Sequence, residues 1–406
     1  MCRNFCYFLL YNFRFLLYNV CGVISMRTAG IIAEYNPFHS GHKYQLDEVR
    51  KDCDAIIAVM SGSFVQRGDI AIADKWTRAK AAVMNGCDLV LELPVIYSLS
   101  SAADFAFGGV SLLDKLGIVD RLYFGAECGD TQQLNNAAKL LLNESPEISE
   151  RIKQFASEGM NYPAAYAKAW DGEIDADILT KPNNILALEY IKALIKLNIR
   201  IKPIAIKRVG AEHDGEPTND IASASHLRKL IRHGEDYSKY VPPSAYELYK
   251  SADIYDISRI DGFITGVLRT CPISQITAHS PEGLEHRIRS AAMENYGFNA
   301  ICEAVKSKRY TLSRIRRILL AAALNLPKRV EPAYARVLAM DEKGKMLLKE
   351  IKQKSDIQII TKTAAYNKGN ETFDADIRAT DIFSLCASDK KNRIGGRDYT
   401  TSPIVT

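Results

Sequence analysis

The chain is 406 residues long, with 53 Lys and Arg against 48 Asp and Glu, a formal net charge of +5 and 47% hydrophobic residues. That length and balance exclude a disordered chain or a small stapled module, and leave room for two domains or one large domain with an appendage. Nine cysteines with no CxxC pair and no zinc-type spacing argue against a disulfide framework or a structural metal site, and fit reduced thiols in a cytoplasmic protein.

Residues 5–24 are rich in Phe, Leu and Tyr, but Asn12, Arg14 and Asn19 interrupt them and no small-residue cleavage site follows. Charged and amide groups are costly in mid-bilayer, so the run makes a poor anchor or signal peptide. Residues 1–25 are expected to be an extension outside the fold, with no membrane attachment. From Met26 onwards, apolar runs at 29–34, 55–60, 89–93, 121–124 and 203–206 read as buried strands. Helical patterns at 41–51, 76–85, 102–116, 134–142 and 184–197 separate them. Strands joined by helices imply parallel crossovers, hence an α/β doubly wound parallel sheet of Rossmann-like type. Pro242-Pro243 reads as a linker between a nucleotide-binding domain, 26–241, and a mostly helical domain, 242–406, that ends in a small α/β segment. In that segment a helix is expected at 343–352, a strand at 357–361 and a last helix at 375–386.

In such sheets ligands sit beyond the carboxyl ends of the strands. There the chain places Glu34-Tyr35-Asn36-Pro37-Phe38-His39-Ser40-Gly41-His42, running from the first strand into a helix. A helix N-terminus offers free N–H groups and partial positive charge to a phosphate, and Gly41 permits close approach. His39 and His42 can donate to phosphoryl oxygens as charge develops on a departing pyrophosphate, which makes them the catalytic candidates. After the fifth strand comes Ser223-Ala224-Ser225-His226-Leu227-Arg228, in which Ser223 is a plausible N-cap and Arg228 lies one turn on. These residues can hold a triphosphate from the side opposite the histidines.

His-x-Gly-His after the first strand with a later Ser-x-Ser-x-x-Arg is the signature of the HIGH-type nucleotidylyltransferases. Longer words are more specific: Gly30 to His39, Met60-Ser61-Gly62-Ser63-Phe64-Val65-Gln66-Arg67-Gly68, Asp74-Lys75-Trp76-Thr77-Arg78, Asp88 to Pro94, Phe124-Gly125-Ala126-Glu127 and Lys181-Pro182-Asn183-Asn184. From Met26 to its end the chain resembles the bacterial tRNA(Met) cytidine acetate ligase family. The resemblance implies that ATP and acetate form acetyl-adenylate, and that the acetyl group passes to N4 of the wobble cytidine of elongator tRNA(Met). It places ATP along 32–45, through Ile32, Glu34, Tyr35, Asn36, Pro37, Phe38, His39, Gly41, His42 and Gln45. It adds Gly125, Asn183 or Asn184, and Lys207 with Arg208, beside Ser223, Ser225 and Arg228. Mg²⁺ is expected as the ATP counterion, with no dedicated protein cage. Arg67, Asp69, Lys75 and Arg78 read equally well as the border of an acetate or cytidine pocket and as a solvated helix start.

Beyond the linker, Lys306, Lys308, Arg309, Arg314, Arg316 and Arg317 form a run without an acid, on a helix whose apolar side is Leu312, Ile315, Ile318 and Leu319. The pattern predicts a basic face turned to solvent, suited to tRNA phosphates. Two other readings compete with the ligase: a small-molecule adenylyltransferase resembling pantothenate synthetase, and an RNA-binding module with an idle nucleotide pocket. A small substrate needs no extended positive surface, and intact histidines argue against an idle pocket. Nothing in the pattern selects an oligomeric state.

Overall fold

The computed structural model describes residues 26–160, 162–209, 221–280, 283–307, 310–366 and 369–406, so the extension at 1–25 lies outside it. Ten strands are described: β1 Thr28–Ala33, β2 Ala55–Ser61, β3 Phe64–Val65, β4 Asp69–Ile70, β5 Leu89–Leu93, β6 Arg121–Ala126, β7 Lys202–Lys207, β8 Tyr334–Met340, β9 Gln358–Ile360 and β10 Ile404–Val405. β5, β2, β1, β6 and β7 lie side by side in that order, all parallel. They are the five strands legible in the sequence. β8 is an addition. It pairs antiparallel with β5, and carries β9 and β10 in parallel on its far edge.

Among the helices that frame the carboxyl ends of these strands or brace them are α1 Ser40–Arg50, α2 Lys75–Met84, α3 Ala102–Lys115, α4 Pro182–Lys196, α5 Ala224–His233, α6 Pro243–Ser251 and α7 Leu312–Ala323. The central strands are buried on both faces and feed two cores. Along β2, Ile56, Ala58 and Met60 face a core with Leu46, Trp76, Leu227 and Tyr249, whereas Ile57 and Val59 face one with Phe105, Leu134, Leu188 and Ile315. This period-2 division is what a sheet wound on both faces requires.

The chain beyond Pro242 is bound to the sheet in two ways. α6 follows Pro242 directly and packs on the β1–α1 loop, where Tyr249 Oη accepts from the Phe38 N–H at 2.8 Å. Under β5 and β8, Lys75 is wholly buried and pairs with Glu92 at 2.8 Å and Asp398 at 2.9 Å. Arg336 joins the same two carboxylates, at 3.5 Å from Glu92 and 2.5 Å from Asp398. Two buried cations against two buried carboxylates give near neutrality, which removes the main penalty on burying any one of them. Lys75 is therefore a tie between the C-terminal segment and the sheet, and not the border of a substrate pocket.

Candidate active site

The loop leaving β1 is pinned residue by residue. Tyr35 has φ 45°, a conformation rare outside glycine, and Asn36-Pro37 is cis. Asn36 Oδ1 accepts from the Ile72 N–H at 2.7 Å. The buried guanidinium of Arg78 donates to the carbonyls of Glu34 at 2.7 Å, Ala73 at 3.1 Å and Ser61 at 3.0 Å, and also to that of Gly62. Arg78 is thus a hub that locks the ends of β1 and β2 together. Nothing in its sequence surroundings distinguishes it from a surface arginine at a helix start.

His39 caps α1. Its Nδ1 accepts from the Gly41 N–H at 3.1 Å, while His42 Nδ1 accepts from the His39 N–H at 3.3 Å. The two rings stack at 3.8 Å, and Tyr35 and Phe38 close on His42 at 4.9 and 5.6 Å. Accepting at Nδ1 leaves the proton of each neutral ring on Nε2, so the capping box sets the tautomer of both. Burial is the main reason that the His39 pKa falls to about 3, with the Arg208 and Arg228 charges adding to it. His42 is lowered well below its ordinary value by burial, then by His39 and Arg208. Both are neutral Nε2–H donors at physiological pH. Gly41 is required by this packing, since a Cβ there would stand 2.9 Å from Cε1 of His39.

Across the cleft, Ser223 caps α5 by accepting from the His226 N–H at 3.2 Å, and its hydroxyl lies 3.1 Å from that of Ser225. Arg228 donates to the Asn36 carbonyl at 2.8 Å. Arg208, just past β7, donates to Asn183 Oδ1 at 3.1 Å, and a Cβ at Gly125 would meet its stem at 3.3 Å. Two guanidinium groups and two neutral imidazoles therefore converge where β1, β6 and β7 end. Glu34 is the nearby carboxylate, accepting from the Gln66 N–H at 2.9 Å and acting on the charge of Arg228. The excess of positive charge suits a polyphosphate.

Other expected positions divide by their surroundings. Ile32, Tyr35, Pro37 and Phe38 are buried and seat the loop. Gln45 is half-buried on α1, and Lys207 is exposed beside Gly129. Asn184 is wholly buried, accepting from the Cys128 N–H at 3.1 Å and donating to the Asp177 carbonyl at 3.0 Å. Its neighbour Asn183 is the one beside Arg208, and Glu127 accepts from both of their backbone N–H groups at 3.2 and 2.7 Å. Asn184 lies in the first turn of α4, behind its N-cap Lys181, and ties the Cys128 loop to the helix.

The basic run is divided too. Lys308 and Arg309 lie outside the described residues. Lys306 pairs with Glu303 at 3.3 Å, and Arg314 lies over Tyr310 at 5.3 Å. Arg316 and Arg317 are turned onto the β3–β4 hairpin and not out to solvent. Arg316 Nε donates to the Gly68 carbonyl at 2.9 Å, and the same side chain reaches Asn299 at 2.8 Å and Asp69 at 3.5 Å. Arg317 donates to the Gln66 carbonyl at 3.2 Å. The hairpin supplies the acceptors that draw them in. Gly68 has φ 75°, and a Cβ there would strike Arg316 Cβ at 2.6 Å.

A doubly wound sheet with a histidine-capped helix after its first strand and a serine-capped, arginine-bearing helix opposite defines a HIGH-type nucleotidyl transferase. Residues 26–398 match the family model described as HIGH Nucleotidyl Transferase. A tRNA(Met) cytidine acetate ligase of Clostridium perfringens (strain ATCC 13124) is 38% identical over 405 residues, spanning 94% of this chain and 100% of that protein. One of Thermoanaerobacter sp. (strain X514) is 41% identical over 397 residues, 92% of this chain and 98% of its own. The crystal structure of Thermotoga maritima TmcAL bound with alpha-thio ATP superposes with a TM-score of 0.84 at 30% identity, covering 94% of this chain and 99% of that one. The chain belongs to the tRNA(Met) cytidine acetate ligase family.

Proposed function

We propose that this chain activates acetate with ATP and transfers the acetyl group to N4 of the wobble cytidine of elongator tRNA(Met), in the cytoplasm. The observation that carries the reading is the pair of stacked, neutral histidines whose Nε2–H groups are set as donors by the capping box, beneath Arg208 and Arg228. An acetate oxygen attacks the α-phosphorus in line, and the bond to the bridging oxygen breaks, so that pyrophosphate leaves and acetyl-adenylate remains. The cytidine amine then attacks the acetyl carbon, loses a proton and expels AMP. No covalent enzyme intermediate is needed. The protein contributes position and charge: His39 and His42 donate to phosphoryl oxygens, while Arg208, Arg228, Ser223 and Ser225 clamp the triphosphate.

Asn183, with its backbone held by Glu127, would border the nucleoside beside Gly125. Mg²⁺ would arrive as the counterion of the phosphates. Among the described residues no three His, Cys, Asp or Glu groups converge on a common point. Residues 242–406 would carry the RNA-docking face through Lys306, Lys308, Arg309 and Arg314, with Arg316 holding the hairpin against the cleft. Among the described residues no helix is long and apolar enough to cross a membrane.

The test is isotopic exchange of pyrophosphate into ATP. Exchange that requires acetate, and that falls by about 10²–10³-fold in His42→Ala, is expected from the loss of one preorganised donor. Exchange driven by a different carboxylate, with acetate inert, would replace this reading by that of a small-molecule ligase.

A further inference from the structure

Away from the histidines lies a second concavity, of 410 Å³, between the segment after β5 and the far side of α7. Its walls include Leu99 and Ile318, both almost fully buried, and its rim carries Arg314, Arg317 and Arg329 with one carboxylate, Asp104. Asp104 is already engaged, since it pairs with Arg329 and accepts from the Ser101 hydroxyl at 2.6 Å. Three guanidinium groups against one carboxylate leave an excess of positive charge at a hollow lined by Leu99, Ile318, Ala321 and Leu326 together with Ser100, Ser101 and His279, which makes a seat for an anion. Their mutual repulsion registers on Arg317, whose pKa is lowered by burial first and then by the charge of Arg314.

We infer that this hollow receives one nucleotide of the RNA substrate, its base on the apolar floor and its phosphate on the arginine rim. The inference rests on the reading of the chain as an enzyme of tRNA. An apolar floor under a guanidinium rim is the chemistry that recognises an unstacked nucleotide, whose base has an apolar face and whose phosphate is a bidentate acceptor. The volume lies within the roughly 300–1,000 Å³ of small-molecule pockets. Position favours a polymer over a free metabolite. Arg317 lines the hollow and also donates to the Gln66 carbonyl, while the Gln66 N–H donates to Glu34 in the ATP loop. One short hairpin thus separates the hollow from the ATP cleft, so an RNA strand held there would present a neighbouring base to the activated acetyl group.

The combined Arg314→Ala and Arg329→Ala variant tests the rim. Its tRNA(Met) dissociation constant should rise about tenfold or more, and the slope of log affinity against log salt should fall by about one, the loss of one phosphate contact. An unchanged melting temperature separates this from misfolding. If affinity and slope both stay at the wild-type values, the rim does not hold RNA and the inference fails. Short-wavelength ultraviolet crosslinking of wild-type protein to a tRNA(Met) transcript tests the floor. A nucleotide adduct on the peptides containing Leu99 or Ile318 is expected, and adducts confined to other peptides would overturn base insertion. Absence of any acetylated tRNA from wild-type enzyme would instead refute the proposed function, so the two failures are distinct.

Discussion

Gly41→Ala separates catalytic geometry from folding. The backbone at Gly41 is helical, in the first turn of α1, so alanine adopts it without strain and carries a better helix propensity. The added Cβ would stand 2.9 Å from Cε1 and 3.1 Å from Nδ1 of His39. Carbon contacts relax at about 3.5 Å, so the ring must retreat by about 0.6 Å. A retreat of that size would lengthen the Gly41 N–H to Nδ1 bond past about 3.5 Å and release the constraint on the tautomer. Misplacement by 1 Å costs about 10²-fold in rate, so about a tenfold loss of acetate-dependent pyrophosphate exchange is expected. Calorimetry should give a melting temperature equal to or slightly above that of the wild type. Exchange at the wild-type rate would refute the claim that the placement of His39 matters. A melting temperature lower by several degrees would make Gly41 a folding residue and refute its role in catalytic geometry.

Protonation of His39 gives a second test. Its pKa is about 3 in the folded chain against 6.5 when free, so only the unfolded chain takes up this proton as pH falls below 6.5. The stabilisation is complete above that value and shrinks on acidification, by about 2 kcal/mol at pH 5. His39→Gln should therefore lose about 2 kcal/mol less than the wild type between neutral pH and pH 5 in denaturant titrations, and equal losses would contradict the burial of a neutral ring. Lys75→Met leaves Glu92 and Asp398 with Arg336 alone, and should cost about 3–5 kcal/mol of unfolding free energy; a cost below about 1 kcal/mol would mean that the cluster is not a tie. Asn184→Ala should cost about 1–3 kcal/mol by orphaning the Cys128 N–H and the Asp177 carbonyl. Asn183→Ala should instead raise the KM for ATP with little effect on stability, and the reverse pattern would exchange their roles.

How much was legible depends on the range of the interactions involved. The five parallel strands announce themselves as continuous apolar runs, because burial on both faces leaves no polar alternation. The His39–His42 turn is equally local, since cap, glycine and donors lie within four residues. β8 is also an apolar run, but its hydrogen-bond partner β5 lies more than two hundred residues earlier, and the Pro-containing basic stretch before it reads as a loop. Lys75 and Arg78 sit in a polar word that resembles a solvated helix start. What buries them is Asp398 at the far end of the chain and the carbonyls of Glu34, Ser61, Gly62 and Ala73, drawn from the ends of β1 and β2 and the turn before α2, which no local pattern brings together. The same holds for Arg316 and Arg317, whose helical periodicity points them outward until a hairpin from the other end of the sequence covers them. Between Asn183 and Asn184, only the loop around Cys128 decides which side chain is buried there and which turns to Arg208 and Glu127.

The central claim, that one cleft activates acetate with ATP for transfer to a tRNA cytidine, is tested most directly with radiolabelled acetate and a tRNA(Met) transcript. Wild-type protein with ATP should place the label on RNA in a form that digests to N4-acetylcytidine, with AMP and pyrophosphate released in equal amounts. His42→Ala should lose both the label and the AMP. Label on RNA without ATP, or AMP release with no labelled cytidine, would contradict the account.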